Sequence, residues 1–161
     1  MPAIVTNAEM EDCLREILGR EGFHLSSRRA HGQAGVDIVA SKGDERYHIE
    51  IVGYKAAGPA RAKDFYEGFF RTVSRLDDAA KRCVLALSHR ATVGLPARAK
   101  QHRTAWLRVA EAFPELEIWL VDTRGAESEG LCRPHTGSMW SSWGAGGRDC
   151  TPPWNSPATP T

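Results

Sequence analysis

Two short apolar stretches each carry one carboxylate. "GVDIVA" (35–40) holds Asp37, and "YHIEIVGYK" (47–55) holds Glu50 between Ile49 and Ile51. An ionised carboxylate taken out of water costs on the order of several kcal/mol unless it is paired. Two of them side by side cost more, or force one to keep its proton. A divalent cation resolves both problems, because Mg²⁺ is commonly held by one or two carboxylates together with waters and phosphate oxygens. Such a metal can activate a water and neutralise charge that builds on a phosphate. The plainer reading gives each carboxylate a structural task. Asp37 would bond backbone amides at a strand end, and Glu50 would pair with Arg28 or Lys42.

The elements that must position these residues follow from periodicity. Side chains alternate along a strand, so in 46–52 His48, Glu50 and Val52 share one face. If that strand pairs with 36–41 through a hairpin at "KGDE" (42–45), Asp37 and Glu50 come to the same face. Upstream, Thr6 or Asn7 can cap a helix to about Gly19, with Met10, Cys13, Leu14, Ile17 and Leu18 at helical spacing. "FHLSSR" (23–28) reads as a first strand. A helix is expected from Arg61 to Ala80, burying Phe65, Phe69, Val73 and Leu76, with Lys63, Arg71 and Arg75 turned away. "RCVLALS" (82–88) reads as a central strand covered on both faces. Gly94-Leu95-Pro96 opens another helix that buries Ala99, Trp106, Val109 and Phe113 and stops at Pro114, and "LEIWLVD" (116–122) is a last strand. This order implies an α/β fold, a mixed central sheet flanked by helices. Residues 1–123 form the expected domain. Residues 124–161, with six glycines, five prolines and Trp140, Trp143 and Trp154, are expected to be a disordered tail.

The 161 residues are 42% hydrophobic and 25% charged, which suits a packed core and excludes a wholly disordered chain. The formal charge of +1 hides an asymmetry: no acidic residue lies between Asp78 and Glu111, where seven Lys and Arg do. The candidate contacts to a polyanion are Lys63, Arg71, Arg75, Arg98, Lys100 and Arg103; a solvated basic face is the competing explanation. The four cysteines have no zinc-like spacing, the histidines are dispersed, and no apolar run suits a membrane span or a leader. A cytoplasmic protein with free thiols is expected.

"GF" (22–23), "GVDIVA" and "IEIV" together resemble the core of the PD-(D/E)xK nuclease superfamily. The likeness is nearest to the branch of archaeal Holliday-junction resolvases and Mrr-type restriction enzymes, and it covers about residues 9 to 90. It implies a restriction-endonuclease-like αβββαβ core, extended here by a further helix and strand. It also implies a DNA endonuclease dependent on Mg²⁺ or Mn²⁺, with Asp37 and Glu50 as metal ligands. Glu11 stands where the family places a metal-associated glutamate on the first helix, with Glu9 the near alternative. The expected partner is DNA, with no membrane and with a homodimer left open. One position departs from the pattern: the family's lysine lies two residues after the glutamate, where this chain has Val52. Three explanations compete. Lys55 replaces it through a bulge at Gly53; a cation comes from Lys63, Arg61 or Lys42, or more weakly from His48; or hydrolysis is lost and the module binds DNA or a protein partner. Of the cations, Lys55 is the preferred catalytic candidate.

Overall fold

The computed structural model describes residues 3–30, 32–124 and 131–132. Its larger sheet has six strands in the order β2-β3-β4-β6-β7-β8. These are β2 (His24–Leu25), β3 (Ile38–Lys42), β4 (Glu45–Val52), β6 (Arg82–Ser88), β7 (Leu116–Val121) and β8 (Leu131–Cys132). The sheet is mixed: β3 runs antiparallel to β4, and β4, β6 and β7 are parallel. The β3–β4 hairpin turns at Gly43-Asp44, where Gly43 supplies a φ of +57° that side-chain-bearing residues avoid.

The α-helices lie on the two faces of this sheet. Helix α1 (Asn7–Arg20) is set by a capping box, in which Thr6 Oγ1 accepts from the Glu9 amide and Glu9 accepts from the Thr6 amide. Its Met10, Leu14 and Leu18 are fully buried against Ile38, Ile49, Ile51, Val84 and Trp119. The opposite face is covered by α2 (Gly58–Val73), α3 (Leu95–Gln101) and α4 (Arg103–Ala112). Phe65 and Trp106 meet there edge-to-face at 5.7 Å, above Leu85, Leu87, Ile118 and Leu120. The apolar run of β6 follows from cover on both sides.

Several expected boundaries move. The strand foreseen over 23–28 shrinks to two residues. A strand not foreseen, β1 (Ala3–Val5), pairs antiparallel with β5 (Tyr54–Lys55) in a separate two-stranded sheet. The helix foreseen from Arg61 to Ala80 begins at Gly58 and gives way at Ser74 to a 3-10 turn through Asp78. The helix foreseen over 94–113 is two helices, because His102 at φ −119°, ψ 32° leaves helical geometry between them. Of the expected tail, Leu131–Cys132 pairs with β7; the remainder beyond Arg124 lies outside the described residues. No helix among the described residues is long and apolar enough to cross a membrane.

Candidate functional site

Asp37 stands one residue before β3. The β3–β4 register pairs Ile38 with Ile49, so one step further Asp37 falls opposite Glu50. The two carboxylates thus reach the same face, as alternation requires. Asp37 prolongs the ladder with its side chain: Oδ2 accepts from the Ile51 amide at 2.8 Å. Oδ1 is bound by Arg29, which also donates to the carbonyls of Gln33 and Gly35 and so ties down the loop before β3.

Glu50 is 1% exposed and faces α2. Arg75 Nε lies 3.1 Å from Oε1 and Arg71 Nε 3.9 Å from Oε2. The Arg75 approach is off the hydrogen-bonding direction, and Oε1 has no hydrogen bond. Burial, and then the negative charge of Asp37, push the Glu50 carboxyl up to about 7, against the pull of Arg75, Arg71 and Arg29. Neither Arg28 nor Lys42 is the partner of Glu50. Arg28 pairs with Asp12, and Lys42 donates to the Glu21 carbonyl at 2.7 Å.

Arg75 reaches Glu50 because the face of α2 lying on β4 is Phe65, Gly68 and Thr72. Arg75 is the next position of that stripe, carried on into the 3-10 turn. The expectation that Arg71 and Arg75 point away from the core is therefore corrected for Arg75, whose side chain is 19% exposed. The signal was present in the sequence as small residues at i+3 and i+7 from Phe65. Without a third dimension, the bulkier Phe65-Phe69-Val73-Leu76 stripe outweighs it.

The position two residues after Glu50 is closed. Val52 is 8% exposed, and it packs so tightly on Gly68 that a Cβ there would collide with Val52 Cγ2. The chain then leaves the sheet at Gly53. A Cβ at 53 would stand 2.5 Å from the Val5 carbonyl oxygen, so glycine is required by close approach. Asn7 fixes this exit by accepting from the Gly53 amide at 2.8 Å. Beyond it, Lys55 turns to α2 and pairs with Asp64 at 2.8 Å. Glu11 pairs with Arg15 along α1 at 2.7 Å. Of the remaining expected contacts, Lys63, Lys100 and Arg103 are exposed, and Arg98 is stacked on Phe65 and Tyr66.

A cleft of about 260 Å³ opens at the C-terminal end of β4, and neither Asp37 nor Glu50 lines it. Val5 and Asn7 line it from one side of β4, Asp64, Glu67 and Arg71 from α2, and Lys55 is also in the lining. Arg71 both lines this cleft and approaches Glu50. His48, also on the Glu50 face, is 6% exposed with Nδ1 unpartnered, and burial lowers its pKa. Burial pushes the thiol of Cys83 up to about 11, which disfavours the nucleophilic thiolate.

Among the described residues no group of three or more His, Cys, Asp and Glu is arranged to hold a metal ion. At the two-carboxylate site Arg29 is paired with Asp37, Arg71 and Arg75 approach Glu50, and Arg75 is shared with Asp78. A divalent cation bound to Oδ1 of Asp37 has to displace Arg29. No family model, curated protein or solved structure matches this chain.

Proposed function

We propose that this chain is a DNA-binding module of restriction-endonuclease-like fold whose ancestral hydrolytic centre has been replaced by an ion-pair network. One observation carries the reading: each carboxylate of the pair is matched by arginines of its own chain, while the lysine position is a valine sealed beneath Gly68. The hairpin with carboxylates at its diverging ends, the acidic first helix and the crossover through α2 support the fold assignment. Cations without acidic partners near the end of β4 support an anionic ligand.

A second reading is favoured by a different observation. Glu50 Oε1 is buried without a hydrogen bond among the described residues, and Lys55 and Arg71, the latter near Glu50, line one cleft. In that reading the protein is a Mg²⁺- or Mn²⁺-dependent endonuclease, with Asp37 and Glu50 as the residues that would hold the metal. The metal would supply Lewis-acid stabilisation of the phosphate and a water of lowered pKa. Arg71 would contact the phosphate from α2, Lys55 would stabilise developing negative charge once released from Asp64, and Glu11 would assist from α1.

Plasmid nicking with Mg²⁺ or Mn²⁺, run beside a DNA-binding assay, separates the two. Salt-sensitive binding without nicking is the expected result. Nicking by the wild type that disappears in Asp37→Ala and weakens in Lys55→Ala would establish the second reading instead. Neither binding nor nicking would remove both.

A further inference from the structure

A second cleft, of about 140 Å³, lies across Val52 and Gly53 from the first, between the start of α2 and the start of α3. Both clefts have Val52 and Gly53 in their lining. They meet at the C-terminal end of β4, where the parallel part of the sheet gives way to the hairpin. Open crevices at the carboxyl ends of parallel strands are the usual ligand positions of α/β sheets.

The second cleft differs from the first in its charge. Lys55 and Arg71 in the first face Asp64 and Glu67. Arg61 and Arg98 line the second, and among the described residues neither forms an ion pair with an acidic side chain. Each is instead laid on aromatic rings. The Arg61 guanidinium sits 4.9 Å from the Tyr54 ring centroid, and that of Arg98 sits 5.5 Å from Phe65 and 5.3 Å from Tyr66. Arg98 also donates to Tyr66 Oη at 3.1 Å. Arg61 also donates through Nη1 to the carbonyls of Lys55 at 2.9 Å and Ala56 at 2.5 Å, which fixes its guanidinium and leaves its remaining N–H groups for a phosphate. Val93, in the lining of the second cleft, is 86% exposed, and Tyr66, which lines neither cleft but is held to Arg98, is 46% exposed, so apolar and aromatic surface lies beside Arg98.

We propose that the joined clefts form one groove that binds single-stranded DNA, with backbone phosphates on Arg61 and Arg98 and an unpaired base stacked at Tyr66. This names the ligand of the DNA-binding reading and rests on it. Recessed cations with an aromatic rim reward an unpaired strand, since base faces are available for stacking only when the strand is open. A duplex presents its phosphates on a convex surface and its base faces to one another, and gains little from Tyr66.

The test is fluorescence anisotropy with a labelled oligothymidylate of about 12 nucleotides and with a duplex of the same length. It uses the full chain and the variants Arg98→Gln, Tyr66→Leu, Tyr66→Phe and Lys81→Ala, each checked for unchanged thermal unfolding. The expected result is tighter binding of the single strand, weakened about tenfold by Tyr66→Leu and by Arg98→Gln. Tyr66→Phe keeps the ring but removes the oxygen to which Arg98 donates, so its loss should fall between wild type and Tyr66→Leu. Lys81→Ala removes an exposed cation that lines neither cleft and should stay near wild type. Preferred duplex binding with the groove variants unaffected would overturn the groove and leave the DNA reading standing. Absence of binding to either DNA at low salt would overturn both.

Discussion

Glu50 is the residue where sequence, burial and charge meet. Its side chain sits in the sheet face beneath α2, with Arg75 and Arg71 as counter-charges and Asp37 as a like-charged neighbour. The ordinary value of its carboxyl is 4.5 and the folded value is about 7. Between these, the unfolded chain gives up a proton that the folded chain keeps. The contribution of this group to stability is therefore fully present below about pH 4.5 and lost as pH rises to about 7. Glu50→Gln keeps the shape and removes the charge. Urea unfolding at pH 5 and pH 8 should show the wild type losing stability relative to the variant between the two. At pH 8 the glutamine protein should be the more stable by about 1–2 kcal/mol. Arg75 retains Asp78 as a partner at 2.9 Å in either protein. Equal pH profiles would mean that Arg75 and Arg71 hold Glu50 fully ionised.

At the scale of elements, the contact of α2 with β4 buries Val52. Gly68 lets the helix approach until it touches Val52 and Leu85, whose Cδ1 would stand 3.2 Å from an added Cβ. Gly68→Ala gains about 1 kcal/mol of helix propensity. It nevertheless should destabilise by about 1–3 kcal/mol, because the helix must lift from the sheet or Val52 must leave its rotamer. The double variant Gly68→Ala, Val52→Ala makes room for the new methyl. A double-mutant cycle by chemical denaturation should therefore return a favourable coupling of about 1 kcal/mol. Additive effects would show that the helix and strand are not in direct register at this point. The same close packing explains why a lysine at 52 is unwelcome here: its ammonium would enter a layer already holding Arg75.

The whole molecule carries a formal charge of +1, so attraction to a polyanion depends on where the cations stand. If Arg61, Arg98 and one or two neighbours meet phosphates, the logarithm of the single-strand binding constant should fall with the logarithm of salt at a slope of about −1.5 to −3. Arg98→Gln should reduce that slope by about 0.7. A titration series between low and physiological salt measures both. A slope near zero would point to a ligand other than nucleic acid. The two arginines come from separate helices, α2 and α3, joined to the sheet by crossovers on either side of β6. Their meeting over the end of β4 is a property of the topology and not of any one segment.

Read alone, the sequence was enough for the α/β class, the strands 82–88 and, to within one residue, 116–122, the β3–β4 hairpin and the common face of Asp37 and Glu50. Each rests on a local rule: the two-residue period of a strand or the glycine of a turn. Tertiary packing alone decided what the carboxylates do with their charge. Arg29 lies eight residues before Asp37, and Arg75 lies 25 residues after Glu50. Nothing in their spacing says that a loop folds back onto one carboxylate, or that Gly68 and Thr72 lower α2 onto the other. A long, flexible guanidinium can turn to solvent or to a buried partner from nearly the same backbone position. The difference is set by which face of its helix the sheet accepts, and that is fixed only when the two surfaces meet.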